Sequence, residues 1–269
     1  MRQLADTPAS PPENPASVCM LASGSKGNAI YINSGKTAIL VDAGFSGVEI
    51  ERRFKARGLS PAQLDAIVVT HEHNDHIHGV GVLARKYHLP VYISARTEAA
   101  ASGKMGRIET IRHFTCGTGF SIRDIQLHPF STSHDASDPA GFTFRMDGRK
   151  IGLATDLGLA THMVRHHLND CRCLILEANH DPRMLEAGPY PWPIKQRVKG
   201  RTGHLSNDAA KELLMEVCHE GLSRVILAHI SETNNTPEKA LSVVAERISG
   251  GGPEFTVALQ HTPSPVIEF

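Results

Sequence analysis

From Leu64 to Gly79 the chain reads LDAIVVTHEHNDHIHG, a short apolar run followed at once by His71, His73, Asp75 and His76. Imidazole nitrogens and carboxylate oxygens are donors that divalent cations accept. Residues two apart in an extended or loosely turning segment point the same way, so His71 and His73 can meet one ion. Asp75 and His76, displaced in phase, can reach a second. A solvated surface turn is the plain alternative, but nothing in such a turn calls for this phase directly behind an apolar strand. The spacing suggests two adjacent cations.

The run that must position these side chains is Ala66-Ile67-Val68-Val69, which reads as a buried strand ending at Thr70. Upstream, short apolar runs at 18–22, 29–33 and 37–41, separated by glycine-containing turns, predict an antiparallel meander. Val48, Ile50, Phe54 and the closing Gly58 predict an amphipathic helix. Val80, Leu83, Ala84 and Tyr87 predict another, its N-terminus directed at the histidine motif. A strand at 91–94 and a small Ala-rich helix follow, then strands at 108–114, 120–128, 141–146 and 149–154, the last two joined by Met146-Asp147-Gly148-Arg149. From 159 onward the pattern alternates: helix 159–168, strand 173–177, helix 206–219, strand 224–228, helix 237–247, strand 255–259. No internal repeat stands out. Strands flanked by helices, run through twice, fit an α/β fold arranged as a four-layer αββα sandwich with both helix layers outside.

Further metal-capable residues stand at the exits of predicted strands: Ser133-His134-Asp135, Thr155-Asp156-Leu157 and Ala228-His229-Ile230. Each alone could equally be a cap or a core residue; together with the His71–His76 motif they form a constellation that chance rarely builds. The loop Ser23-Gly24-Ser25-Lys26-Gly27-Asn28 could turn successive amides toward an anion, making Ser23, Ser25 and Asn28 candidate substrate contacts, or be a plain hairpin turn; it lacks phosphate-loop spacing. Between Pro193 and His204, Lys195, Arg197, Lys199 and Arg201 occupy every second position. If extended, they line one face and could follow a phosphate backbone; if a solvated loop, they carry no function. His204, just before a Ser206 helix cap, is a candidate to contact a scissile phosphate or protonate a departing oxygen, against the alternative of a capping-region histidine.

The motif His71-Glu72-His73-Asn74-Asp75-His76 resembles the HxHxDH signature of the metallo-β-lactamase superfamily of metallohydrolases. Ala22 to Asn28, Glu177-Ala178-Asn179-His180-Asp181, Gly188-Pro189-Tyr190-Pro191-Trp192, Gly203-His204-Leu205-Ser206-Asn207 and the run from His229 to Pro237 further resemble its YycJ/WalJ branch, over nearly everything from Val18 to Phe269. The resemblance implies the αββα fold, with His71, His73 and His134 on one divalent ion, Asp75, His76 and His229 on a second, and Asp156 between them. It also implies an orienting role behind the ligands for Asp42, at the end of the third strand; after His204, His180 and Asn234 are lesser candidates for substrate contact. Zn(II) suits such ligands best, with Mn(II) or Fe(II) possible. A water shared by two ions about 3.5–4 Å apart becomes a hydroxide nucleophile near neutral pH, and Asp75 could orient it. The activity implied is a metal-dependent phosphodiesterase, a 5′–3′ double-stranded DNA exonuclease, although the residues themselves do not report polarity.

Composition frames these readings. The chain has 269 residues, 41% of them hydrophobic, enough for one large domain, read as 18–269 behind a proline-rich, disordered tail over 1–17. Its sixteen histidines against 5% aromatic residues look recruited for chemistry. Formal charge is zero, so a polyanion must be held by a local patch and by metal ions. Five irregularly spaced cysteines argue for reduced thiols in a cytoplasm, with Cys171-Arg172-Cys173 a coincidence of strand start. No run resembles a signal peptide or a membrane anchor. Three rival readings remain: a phosphodiesterase for cyclic nucleotides or phosphonate intermediates on the same fold, an amidohydrolase barrel, and an inactive metal-stabilised nucleic-acid-binding protein. The hairpins predicted over 108–154 argue against the barrel, which needs regular parallel βα units.

Overall fold

The computed structural model describes residues 16–246, 248 and 251–269. In the first half, β1 (Ser17–Ala22), β2 (Ala29–Asn33) and β3 (Ala38–Val41) lead to α1 (Gly47–Lys55), β4 (Ala66–Val68), α2 (Asn74–Ile77), α3 (Val80–Tyr87), β5 (Val91–Ser94), α4 (Ala95–Ala100) and β6 (Ile111–Phe114). The second half continues with β7 (Phe120–Ile122), β8 (Ile125–Ser131), β9 (Ala140–Met146), β10 (Arg149–Ala154), α5 (His162–Leu168), β11 (Cys173–Glu177), α6 (Pro182–Ala187) and α7 (Trp192–Lys199). It closes with α8 (Asn207–Val217), β12 (Arg224–Ala228), α9 (Pro237–Val244), β13 (Glu254–Val257) and β14 (Ile267–Glu268). Among the described residues the strands form two seven-stranded sheets, β14-β1-β2-β3-β4-β5-β6 and β13-β12-β11-β10-β9-β8-β7.

Strand alternation explains the layering. In β1, Val18 and Met20 face the other sheet while Cys19 and Leu21 face outward; in β3, Ile39 and Val41 face in and Leu40 faces out. The inward set meets Phe142, Phe144, Ile151, Ile175 and Ile226 of the second sheet, giving a core between the sheets. The outward side chains pack under α1 and α3 through Ile50, Phe54, Val80 and Leu83. On the far side Leu174 and Leu176 pack under α5, α8 and α9 through Val164, Leu168, Leu213 and Val244. Three apolar seams separating helix, sheet, sheet and helix make the expected αββα sandwich. Strands buried on both faces must be apolar at nearly every position, which is why they were legible as short unbroken runs.

Several expectations need correction. β1 starts at Ser17, which pairs with Asn33 and Glu268, so the sandwich begins one residue before the expected boundary; residues 1–15 of the tail expected over 1–17 lie outside the described residues. The single strand expected over 120–128 is split into β7 and β8 by a turn at Arg123 (φ 51°) and Asp124, whose carboxylate accepts the Ser34 hydroxyl at 2.8 Å. Val48, expected on the buried face of α1, is 79% exposed, whereas Ile50 and Phe54 are buried. The largest departure concerns Lys195, Arg197 and Lys199, which lie on α7 and not on an extended segment. Proline at the start supplies a preset helical φ and needs no amide donor there. On a helix, Lys195 and Lys199 share a face while Arg197 points elsewhere, and Arg201 falls beyond the end. No described helix is long and apolar enough to cross a membrane.

Candidate metal centre

The parallel strands deliver the chemistry at their carboxyl ends: Asp42 follows β3, His71 follows β4, Asp156 follows β10, Glu177 ends β11 and His229 follows β12. His134 joins them from the loop after β8. Asp42 (φ 59°), Asp156 (φ 56°) and His229 (φ 53°) leave their strands in the left-handed region, which non-glycine residues enter at a cost and mostly where function requires a side chain to be aimed. His73 caps α2 and the following turn carries Asp75 and His76, so the motif wraps into a single helical turn beyond His73.

Hydrogen bonds fix the imidazoles. Asp42 acts as the acceptor of the pair, so the His76 Nδ1–H donates to its Oδ2 at 2.7 Å and leaves Nε2 facing Asp156 Oδ2 at 3.5 Å and Asp75 Oδ2 at 3.6 Å. Asp42 also accepts the Thr70 hydroxyl at 2.7 Å and the Thr70 amide at 2.8 Å. With its proton given to Asp42, the Thr70 oxygen accepts from His71 Nδ1 at 3.0 Å. His134 Nδ1 donates to the Gly203 carbonyl at 3.1 Å. Hence His71 Nε2 and His134 Nε2, both lone pairs, face His73 Nδ1 at 3.1 and 3.3 Å. Two ring nitrogens whose N–H groups are turned away thus converge with His73 Nδ1 on one point, an arrangement shaped for a cation.

The other half is rich in carboxylates. His229 Nε2 approaches Asp156 Oδ1 at 3.4 Å and Asp75 Oδ2 at 3.8 Å, yet His229 Nε2 and Asp156 Oδ2 are buried with no hydrogen-bond partner. Buried polar atoms left without partners are rare and need an explanation, and a bound cation supplies one. His71, His73 and His134, then Asp75, His76 and His229, then His71, His76 and Asp156, all bring donor atoms within 4.8 Å of one another. The residues fit a divalent-metal centre.

Charge distribution agrees. Burial, helped by His76 and His134, holds His71 well below the usual histidine range, and burial also lowers His134. Burial opposes protonation of His76 too, but Asp156, Asp42 and Asp75 outweigh it and push that imidazole up to about 9. His229 is raised well above its ordinary value in the same way, chiefly by Asp156. One half therefore offers neutral nitrogens and the other a surplus of negative charge that attracts a proton or a cation.

Glu177, to which the sequence reading gave no role, is wired into the cluster. Fully buried, it accepts from His204 Nδ1 at 2.7 Å through Oε1, while Oε2 accepts the amides of Leu157 and Leu205, each at 3.1 Å. Its Oε1 also lies 3.2 Å from His229 Nδ1. Burial resists its ionisation, but His204 and His229 hold it well below the carboxylate range. An ionised Glu177 sets His204 with Nδ1–H inward, 3.9 Å from Asp156, in a side chain 19% exposed. The available signal was an acid closing the otherwise apolar strand Cys173–Leu176.

The expected substrate contacts fare unevenly. Ser23 is buried and its hydroxyl accepts the His229 amide at 2.7 Å, so it supports the backbone at His229 and has no surface to offer. The amides of Ser23, Gly24, Lys26, Gly27 and Asn28 are all donated within the protein, which removes the anion-cradle reading of that loop. Ser25 is exposed. Asn28 is buried with Nδ2 at 3.0 Å from His76 Nε2, beside the cluster. His180 and Asn234 are 3% and 0% exposed, too deep for a surface contact. Arg197 pairs with Asp135, whose Oδ1 is 3.5 Å from His134 Nε2, while Lys199 pairs with Glu186 at 3.4 Å. Cys171 and Cys173 are free thiols pushed up to about 12 by burial, and no cysteine is among the metal-capable groups of the described residues.

Asp42 tests the wiring. Asp42→Asn keeps the volume and tolerates the left-handed backbone but loses the carboxylate that fixes Thr70 and His76. Metal affinity measured by calorimetry should fall by about 10–100-fold; an unchanged affinity would show that this carboxylate does not orient His76.

A two-sheet αββα sandwich with histidines and aspartates gathered at its strand exits defines a metallohydrolase architecture, and the model of the β-lactamase superfamily domain matches residues 37–230. The chain belongs to the metallo-β-lactamase superfamily, within its YycJ-like group. It is 38% identical to exodeoxyribonuclease YycJ of Bacillus anthracis over 87% of this chain and 89% of the relative. It is 36% identical to exodeoxyribonuclease WalJ of Streptococcus pneumoniae over 93% of this chain and 96% of the relative. Among solved structures, the metallo-β-lactamase fold protein YhfI of Bacillus subtilis superposes with a TM-score of 0.72 at 16% identity, over 93% of this chain and 100% of that one, a likeness of fold.

Proposed function

We propose that this chain is a metal-dependent phosphodiesterase that shortens duplex DNA from its ends, in the cytoplasm. The observation that carries the hydrolase reading is the convergence of the His71, His73 and His134 ring nitrogens beside a carboxylate-rich cluster with buried, unpartnered donor atoms. The names and identities of the YycJ and WalJ relatives support DNA as the polymer. In this reading His71, His73 and His134 hold one ion, Asp75, His76 and His229 the other, and Asp156 stands between. Zinc is the ion such donors favour, with manganese or iron(II) compatible. Bound there, two ions would supply Lewis-acid stabilisation of phosphoryl charge and activation of water near neutral pH.

The chain's own residues do the rest. Asp42, Thr70 and the Gly203 carbonyl hold the imidazoles in their tautomers. Asp75, partly exposed, is placed to orient an attacking water. His204, held by Glu177 through Nδ1, stands 3.9 Å from Asp156; protonated at both nitrogens, with Glu177 balancing the charge, it can give its Nε2 proton to the departing sugar oxygen. The decisive experiment is digestion of end-labelled duplex DNA beside cyclic nucleotides and small phosphodiesters. We expect shortening of the duplex from its ends, abolished by chelator and restored by added metal. Hydrolysis of small diesters alone would replace the exonuclease with a small-molecule phosphodiesterase, and binding of duplex ends without shortening would point to an inactive binder.

A further inference from the structure

The motif Gly188-Pro189-Tyr190-Pro191-Trp192 opens α7, and neither metal binding nor proton transfer uses it. None of the residues of α7 is buried. A helix of eight residues is marginal in water without packing, so α7 must be held from outside itself. It is tethered by Arg197 to Asp135, by Lys195 to the Glu186 carbonyl, and by the His204 amide donating to the Val198 carbonyl at 2.9 Å. These tethers fix the helix beside the metal-ligand cluster: Asp135 lies against His134, and His204 is reached by the loop that leaves α7.

What α7 displays is unusual for an unpacked surface helix. Trp192 is the only tryptophan of the chain and is 60% exposed, with Ile194 beside it 39% exposed. The Lys199 ammonium lies 4.8 Å from the centre of the indole ring, covering part of the ring and leaving the rest to solvent. The patch combines this aromatic face with Lys195 and Lys199, of which Lys199 also pairs with Glu186 at 3.4 Å. An aromatic face flanked by cations suits an unpaired base and its phosphates, because every base has a stacking face and every linkage a negative charge.

We propose that α7 is the element that grips the end of the DNA, with Trp192 stacking on a terminal base and Lys195, whose ammonium has two further donors besides the one given to the Glu186 carbonyl, meeting a neighbouring phosphate. This rests on the exonuclease reading. Arg197, engaged with Asp135, fixes the helix to the site and leaves phosphate contact to its neighbours. A stacked end beside the metal-ligand cluster would present the outermost linkages to it.

The sole tryptophan makes the test direct. Metal-loaded protein is titrated with a short duplex carrying nuclease-resistant phosphorothioate ends while Trp192 fluorescence is followed. KM and kcat are then compared for Trp192→Ala, Trp192→Phe and Lys195→Gln on cleavable duplex and on bis(p-nitrophenyl) phosphate. The expected result is a fluorescence change on DNA binding and a rise in KM for DNA of about 10-fold or more in Trp192→Ala, the size of one lost stack. Trp192→Phe should retain most of the affinity, Lys195→Gln should weaken the salt dependence, and small-diester hydrolysis should stay unchanged in all three. Unmoved fluorescence, or DNA digestion by Trp192→Ala equal to that of the parent, overturns the proposal. So does an equal loss on DNA and on the small diester, which would make the side chain a support of the site. Failure of the parent protein to digest DNA would instead bring down the exonuclease reading, before any variant is compared.

Discussion

Asp156→Asn should lower phosphodiester hydrolysis by well over about 100-fold and strip metal from the purified protein. The scale follows from comparison: losing a group that merely orients a ligand typically costs about 10–100-fold, and Asp156 stands among the candidate ligands themselves. Its carboxylate lies 3.5 Å from His76 Nε2 and 3.4 Å from His229 Nε2, with Oδ2 buried and unpartnered. Asparagine fits the same volume and tolerates φ 56°, so the fold should survive while the central negative charge disappears. Uptake in the parent protein should also strengthen as pH rises toward about 9. The sign is fixed by competition, since His76, pushed up to about 9, must lose its proton before its nitrogen can hold an ion. Elemental analysis and hydrolysis rates give the answer. Two ions retained together with near-parent activity in Asp156→Asn would remove this residue from the centre.

The second large effect concerns Glu177 and His204 as one unit. Each of Glu177→Gln and His204→Ala should reduce kcat by about 10²–10⁴-fold, the usual worth of a positioned proton donor. The double variant should be little worse than either single one, because residues acting as a unit are non-additive. Glutamine can still accept the Leu157 and Leu205 amides, so the isosteric change isolates the charge from the packing. A substrate with a good leaving group, which needs no proton, should be hydrolysed almost normally by His204→Ala. Fully additive losses, or an equal loss on the activated substrate, would separate the two residues and return His204 to a capping role.

How much of this was legible depended on whether the relevant contacts are local. The His71–His76 motif declares itself because its donors crowd one strand exit, and the sandwich declares itself because strands buried on both faces must be apolar throughout. His134, Asp156 and His229 were visible only as polar residues ending apolar runs. Glu177 was legible only as one letter of a family motif at the end of an apolar strand, because its meaning lies in a hydrogen bond to His204, 27 residues away. The basic stretch misled for a physical reason: charges at alternate positions match an extended chain, while the helix there is held by tethers to Asp135 and Glu186 that no local pattern encodes. The glycine-rich loop misled in the opposite sense, since amides that looked available are consumed by Asn28, Gln260 and Asp75.

The left-handed exits at Asp42, Asp156 and His229 set a limit on how this protein can change. Each such backbone costs the folded state about 1–3 kcal/mol. Glycine would relieve that tension and deliver a sturdier molecule with nothing left to offer a cation, so durability and chemistry pull in opposite directions at the same three places. Branched or bulky residues are barred by their own shape, which narrows the paths by which a descendant of this chain could exchange one metal preference for another.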